Sequence, residues 1–556
     1  MTTRSELDAF LGPRRATERA RLGIVVGGSL SEGLRIKLDI GAVPGGIIED
    51  MAVGRYVVIG GQTGKSFFSI VTDIALDSTN PALEKTPPDT DDPFISEVFR
   101  STAAFGRLQV SPMLALEEGG DPKPVKTIPA HYSVVYTATE ADVNRIFGEA
   151  DEKHWHIGEP LDMSGVKVNL DLARFVERSS GVFGKSGTGK SFVTRTILAG
   201  VIKARTASTL IFDMHNDYGW EVIDEAGRRF KGLRQLFSSV QVSVITLDPQ
   251  TSQHRGSKVD RALQIGYDQI DPEDVEMLAG LMGLSDVQVG ALFFLRRRLG
   301  KDWISKLLDE TIPEEVTNIV EQGSIHAGTL GAIQRKFELF RRMDFLRPGT
   351  TDDAVDDIFN KISAGTSVVL EFGTFGNMLE AYVLVANYLT RRIHKKYVER
   401  KNKAAGNKAE EPNPLMIVIE EAHKFLDPAI AGHTIFGTIA RELRKYNVTL
   451  LIVDQRPSGI EEEVMSQIGT RVTCLLDNEA DIRAVFSGVS GGSALREVLA
   501  RLDTKQQALI LGHAVPMPVV VKTREYGQEL YEAVGFVEGE ALKKKAEKGT
   551  EALFGA

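Results

Sequence analysis

The residues Gly184, Lys185, Ser186, Gly187, Thr188, Gly189, Lys190 and Ser191 read GKSGTGKS, the spacing G-x-x-x-x-G-K-[ST] of a phosphate-binding loop. The apolar run GVF precedes them and the helical pattern FVTRTILAGVI follows, the strand and helix that such a loop joins. Glycines keep side chains clear, so successive backbone N–H groups and the helix N-terminus can wrap phosphates while Lys190 reaches the β and γ oxygens. Ser191 supplies a hydroxyl for a magnesium ion, and the expected ligands are ATP and Mg2+. A near-copy at 60–66, GGQTGKS, has Ile59 in place of the first glycine and runs into β-like SFFSIVTDI, so it reads as a hairpin.

A second constellation follows a buried-strand signal. The apolar residues Leu415 to Ile419 run into Glu420, Glu421, Ala422 and His423, which sets two acids at the C-terminal edge of a strand, where open α/β sheets bind ligands. Hydrolysis of a phosphoanhydride needs mainly positioning and charge stabilisation. Glu420 is therefore expected to hold the metal, through water, and Glu421 to polarise the attacking water. Two acids after a strand also open many solvated helices; the phosphate loop upstream reverses that reading.

Two further strands end in polar clusters expected to face the nucleotide. IFDMHNDYGW carries Asp213, His215, Asp217 and Tyr218, and LLIVDQRPS carries Gln455 and Arg456. Gln455 is placed to sense a γ-phosphate or orient water, or else simply ends its strand. His215 with Asp213 and Asp217 lacks a second histidine cluster to complete a metal site and reads as a hydrogen-bonding network. In FGTIARELRKYNV, Arg441 and Arg444 are one helical turn apart and share a face. Either one reaches a neighbouring subunit's ATP as an arginine finger, worth ~10³ to 10⁵ in rate, or both are scattered charge on a surface helix.

These residues need a scaffold, and the chain divides accordingly. Residues 1–21 form an N-terminal segment, and 22–147 read as a small β-barrel, with β-rich runs LGIVVGG, LRIKLDI, GRYVVIGG, SFFSIVTDIAL and VKTIPAHYSVVYTAT broken by glycine and proline. Residues 148–264 and 363–525 alternate short apolar strands with helical stretches, as in a parallel sheet covered on both faces. The expected strands are 181–183, 209–212, 242–247, 367–372, 415–419, 449–453, 472–476 and 508–511. Between 265 and 362 strand signals vanish and apolar residues recur at helical spacing, which predicts a helical insertion. The charged stretch 395–414 is expected to be an exposed loop, and 526–556 a charged helical tail. The fold class is thus α/β: a P-loop core with an N-terminal barrel and an inserted helical bundle.

Composition sets limits. With 556 residues the chain exceeds one hydrophobic core and suggests roughly two to four domains. No apolar run approaches the ~18 residues of a membrane span, and the first residues lack the apolar h-region of a secretory signal, so a cytoplasmic protein is expected. Cys474, the single cysteine, excludes an intrachain disulfide. The net charge of −10 speaks against a surface basic all round, but not against DNA held in a local groove or pore.

Taken in order, the barrel, GKSGTGKS, DMHNDY, VIEEAH, IARELRK and DQRPS resemble the HerA-type ATPases of the HerA–FtsK superfamily over roughly residues 20–525. The resemblance implies a RecA-like core, a HAS-type barrel and a hexameric ring that translocates on double-stranded DNA as a helicase. It also implies a NurA-type nuclease partner in end resection and recombinational repair. The alternative within the same resemblance is a ring that scaffolds and regulates a nuclease or NAD-cleaving effector in phage defence. A small-molecule kinase would leave the arginine-bearing helix and the barrel without a role. By motif match Lys190 and Ser191 are P-loop residues, Glu421 the catalytic acid, Gln455 the sensor, and Arg441 or Arg444 the finger. Glu420 departs from the aspartate usual in the family; one methylene longer, it is expected to shift the hydrated magnesium without abolishing hydrolysis.

Overall fold

The computed structural model describes residues 19–536 apart from 40–47, 49–50, 63, 81, 87–90, 93, 95–97, 99–102, 118, 225, 312, 351–352, 405, 407–410, 490–491 and 504–505. Most of the expected N-terminal segment and C-terminal tail therefore lies outside the described residues; of the tail, Gln528–Ala533 is helical.

The first seven strands are β1 (Arg21–Ser29), β2 (Gly33–Leu38), β3 (Tyr56–Gly60), β4 (Ser66–Ser78), β5 (Ala104–Leu116), β6 (Lys123–Pro124) and β7 (Val134–Thr137). They run β2-β1-β7-β3-β4-β5, and a β2–β5 pairing closes six of them into a barrel, with β6 on the flank of β5. Closure leaves the six strands no free edge, and their alternate residues, among them Leu34, Ile36, Val57, Ile59, Leu108 and Val110, fill the interior. Gly60 pairs with Ser66 at the end of the β3–β4 hairpin, a Gly61 N–H to Lys65 C=O bond of 2.7 Å closes it, and the second GKS runs into strand β4 instead of a helix. The long strand β5 was absent from the runs expected from sequence. Its solvent-side residues and Pro112 break the apolar pattern, and only pairing with β2 and β4 makes it a strand.

The second sheet has twelve strands. In chain order they are β8 (His154–Pro160), β9 (Val168–Asp171), β10 (Ser180–Phe183), β11 (Ser208–Asp213), β12 (Val242–Thr246), β13 (Arg261–Ala262), β14 (Ser367–Glu371), β15 (Leu415–Glu420), β16 (Val448–Asp454), β17 (Thr470–Thr473), β18 (Gln507–Gly512) and β19 (Val519–Thr523). The order across the sheet is β13-β12-β14-β11-β15-β16-β10-β17-β18-β19-β8-β9. Strands β13 through β17 in that order are mutually parallel, and the four beyond are antiparallel. The run 508–511, expected in the parallel set, is thus the first antiparallel strand. It runs against β17, with Thr470 opposite Gly512 and Thr473 opposite Leu509, and the short link from β18 to β19 then returns β19 antiparallel to β18. Every residue of β15 and β16 is buried, the continuous apolar pattern of strands covered on both faces.

Helix α1 (Lys190–Ala204) is buried from Val193 to Ile202, an all-round burial appropriate to a helix between the sheet and its flanking strands. Trp155 of β8 lies against Gly200, where a Cβ would come within 2.7 Å of the indole, and donates to Thr196 C=O at 2.8 Å. Between β13 and β14 the chain is largely helical, including Asp286–Leu299, Trp303–Leu308, Glu314–Glu321 and Ala327–Phe337. Trp303 anchors that bundle against Phe337 and donates to Ile270 C=O. A parallel bridge of Ile265–Gly266 with Leu346–Arg347 ties its ends together, a pairing with no strand signal in sequence. Helix α2 (Leu379–Ala404) continues through the first part of the stretch expected as a loop. Its run of Arg, Lys, Glu and Ala is a good helix former once the buried half of α2 has nucleated the helix.

Candidate active site

Parallel strands share one polarity, so the C-terminal ends of β10, β11, β14, β15 and β16 meet along one edge. Gly184 follows β10 with φ +151°, and a Cβ there would lie 2.7 Å from that of Cys474, so a side chain at this position has no room. Gly187 and Gly189 also take positive φ, at +79° and +97°, which turns the loop into the start of α1. Thr188 Oγ1 closes the loop on Lys185 C=O at 2.7 Å. Lys185 itself points outward to an exposed ion pair with Asp477. The N–H groups of Ser186, Gly187 and Gly189 have no backbone acceptor among the described residues. They join the free N–H groups of the first turn of α1 as an anion cradle.

Lys190 Nζ donates to Gly184 C=O at 2.7 Å. Burial holds its pKa below the usual lysine value, against the pull of Glu421, Asp454 and Glu420. Ser191 is half-buried at the start of α1.

Strand β16 lies between β10 and β15, which sets Gln455 between the phosphate loop and the acids. Ser186 Oγ donates to Gln455 Oε1, and Gln455 Nε2 donates to Glu421 Oε1 at 2.9 Å. The structure thus brings the loop, Gln455 and Glu421 into one connected row. Glu421 sits at φ +49°, a left-handed conformation that costs a non-glycine residue energy and turns its side chain off the strand.

Glu420 faces inward and is 6 % exposed. Tyr218 donates its hydroxyl to Glu420 Oε1 at 3.0 Å, while Oε2 is buried without a hydrogen-bond partner among the described residues. Burial, then the charges of Asp213 and Asp217, push the Glu420 pKa well up. Tyr382 of α2 accepts from Glu420 N–H and donates to its C=O, both at 3.0 Å, and so clamps the end of β15. The donor set suits a hard divalent cation: a buried carboxylate oxygen without a partner among the described residues, and more buried acid than the site's cations balance. Mg2+ fits with Ser191 and Glu420 as its holders.

Asp213 turns its carboxylate onto the N–H groups of Asp217, Tyr218 and Gly219, so it shapes the loop after β11 and holds no ligand. Burial, followed by the charge of Asp217, raises it to about 6. His215 is exposed. Arg441, at the end of helix α3 (Ile435–Glu442), is not brought to the loop: it pairs with Glu461 and with Glu463 at 3.2 Å. The helix changes to a 3-10 turn over Leu443–Tyr446, and the Arg444 side chain lies outside the described residues.

Three neighbours went unassigned in sequence. Asp454, the last residue of β16, was legible as an acid ending an apolar strand. Tyr382 carries no signal within a helical run. Glu371, the last residue of β14, is fully buried beside Asp213 in register. Burial, then the Asp213 charge, raises Glu371 to about 7. A carboxyl raised from 4.5 keeps its proton longer in the folded chain, so stability falls as pH climbs from about 4.5 to 7, by about 3 kcal/mol in all. Glu371→Gln is therefore expected to raise the melting midpoint clearly at pH 8 and little at pH 5. Equal shifts at both pH values would contradict a neutral buried carboxyl.

The family model described as the central domain of helicase HerA matches residues 155–393. The DNA double-strand break repair helicase HerA of Sulfolobus acidocaldarius is 25% identical over 401 residues, 71% of this chain and 74% of the relative. That of Pyrococcus furiosus is 23% identical over 445 residues, 73% and 75% of the two chains. Among solved structures, the plasmid coupling protein TrwB with a non-hydrolysable ATP analogue is 11% identical, covering 70% of this chain and 92% of its own, with a TM-score of 0.46. No helix among the described residues is long and apolar enough to cross a membrane. The phosphate loop and the acid pair lie on one sheet edge, and the match to the HerA central domain spans the loop, so this chain is similar to the HerA-type P-loop ATPases.

Proposed function

We propose that the chain hydrolyses ATP to drive translocation on double-stranded DNA, working as a homo-hexameric helicase ring with a NurA-type nuclease in DNA end resection. The observation that carries the hydrolysis is the row Ser186, Gln455, Glu421, which links the phosphate cradle to a carboxylate turned off its strand. The DNA substrate is supported by the relatives, which are named as double-strand break repair helicases.

In this reading the cradle N–H groups and Lys190 hold the phosphates, and Ser191 with Glu420 would hold Mg2+, which would supply charge neutralisation to the triphosphate. Gln455 sits between the Ser186 hydroxyl and Glu421 and registers the γ-phosphate. Glu421, on the solvent side of the edge, accepts hydrogen bonds from the attacking water and orients it. Arg441 or Arg444 completes the site of the next subunit, and for Arg441 this means leaving Glu461 and Glu463. The barrel and the helical bundle are surfaces for partners outside the ATPase core. The phage-defence reading has no observation of its own in its favour.

The test is ATP hydrolysis by the purified chain with and without linear double-stranded DNA, with the mass in solution recorded on the same sample. A hexamer stimulated several-fold by DNA is the expected result. A hexamer indifferent to DNA would overturn translocation in favour of a ring that regulates a partner.

A further inference from the structure

His423 and Asp454 lie beside Glu421. The Asp454 side chain is fully buried. Its Oδ2 accepts the His423 backbone N–H at 2.7 Å, and its Oδ1 accepts the Arg456 N–H at 2.7 Å. The His423 ring nitrogen Nδ1 lies 3.0 Å from Oδ2 and 3.2 Å from Oδ1. An ionised carboxylate only accepts, so Nδ1 must carry the proton, which fixes the tautomer and the ring plane. Nδ1 also stands 3.6 Å from Glu421 Oε2, beyond hydrogen-bond reach. Glu421 Oε1 is already taken by Gln455 at 2.9 Å. Asp454 also connects to the phosphate loop, because its C=O accepts the Gly184 N–H at 3.3 Å.

We propose that His423, held by Asp454, is a positioning residue that fixes the carboxylate of Glu421 for water activation. The carboxylate is bracketed: Gln455 binds one oxygen, and the His423 ring, its Nδ1 proton given to Asp454, stands beside the other. Glutamate has three rotatable side-chain bonds, and a base misplaced by about 1 Å loses rate steeply, so a wall on the second oxygen matters for turnover and not for ATP affinity. Glu421, His423 and Asp454 are also close enough to share a metal ion. That arrangement is disfavoured here, because both Asp454 oxygens are committed to N–H donors and the nitrogen facing them bears the proton. Nothing in the sequence separates this histidine from the start of a short helix; the contact exists because β15 and β16 are neighbours.

The inference deepens the hydrolase reading and rests on it. The test uses the full chain and measures kcat for ATP together with the Kd of a fluorescent ATP analogue. His423→Asn keeps an N–H donor near the place of Nδ1, whereas His423→Gln puts it near that of Nε2 and His423→Phe removes it. Turnover is expected to stay within about 3-fold for Asn and to fall ~10-fold for Gln and Phe, with Kd within about 2-fold throughout. In a Glu421→Gln background, His423→Phe is expected to cost nothing further, because its effect passes through Glu421. Full activity of both Gln and Phe variants, a loss that appears in Kd instead of kcat, or an undiminished loss in the Glu421→Gln background would each overturn the proposal. If the Phe variant fails to fold, the contrast between Asn and Gln decides. Absence of wild-type turnover, or turnover indifferent to Glu421→Gln, would instead defeat the hydrolase reading itself.

Discussion

Lys190→Ala is expected to reduce ATP hydrolysis below detection and to weaken ATP binding by more than ~30-fold. Its ammonium is the one cation of the phosphate loop turned inward, since Lys185 points outward to Asp477. Charge-assisted hydrogen bonds are worth about 1.5–3 kcal/mol each, and in the proposed function this group serves both β and γ oxygens, so its loss is expected to remove about 3–6 kcal/mol from the transition state. A second effect adds to the first. Glu420, Glu421 and Asp454 all act on Lys190, and without it they would repel the incoming triphosphate. The fold should survive, because alanine at the first position of α1 is a good helix former. Phosphate release and equilibrium binding on the same preparation check this, and wild-type turnover would remove the loop from the chemistry.

Glu421→Gln is expected to behave differently: ATP binds as tightly as in the wild type or tighter, and kcat falls ~10²- to 10³-fold. Glutamine has the same shape, and its carbonyl oxygen still accepts the 2.9 Å bond from Gln455, so the site keeps its geometry. What disappears is the negative charge that orients and polarises water, a group required only in the transition state. Removing that charge also relieves repulsion with the γ-phosphate, which favours binding. A variant turning over at the wild-type rate would reassign the base, and one that no longer bound ATP would show that Glu421 serves the ground state.

Much of this was readable before any coordinates. GKSGTGKS with its flanking strand and helix placed the cradle, and five apolar residues before Glu420 and Glu421 placed the acids on a sheet edge. Burial on both faces made the central strands visible as unbroken apolar runs. Where one face is wet or the neighbour is remote in sequence, legibility failed. The barrel strand β5 looked like a loop, the antiparallel strands β8, β9 and β19 were missed, and α2 outran its apolar half.

The difference lies in which contacts are local. Sequence alone exposed the glycine-rich loop between its strand and helix, the acids ending an apolar strand and the single cysteine, because each rests on spacing along one segment. Only the tertiary structure decided the rest. Placing β16 between β10 and β15 set Gln455 against both Ser186 and Glu421, although 269 and 34 residues separate it from them. The same order buried Asp454 under His423, and it brought Tyr218 from 202 residues away onto Glu420. Parallel pairing of distant strands creates those contacts, and no short-range pattern encodes which strand will be neighbour to which.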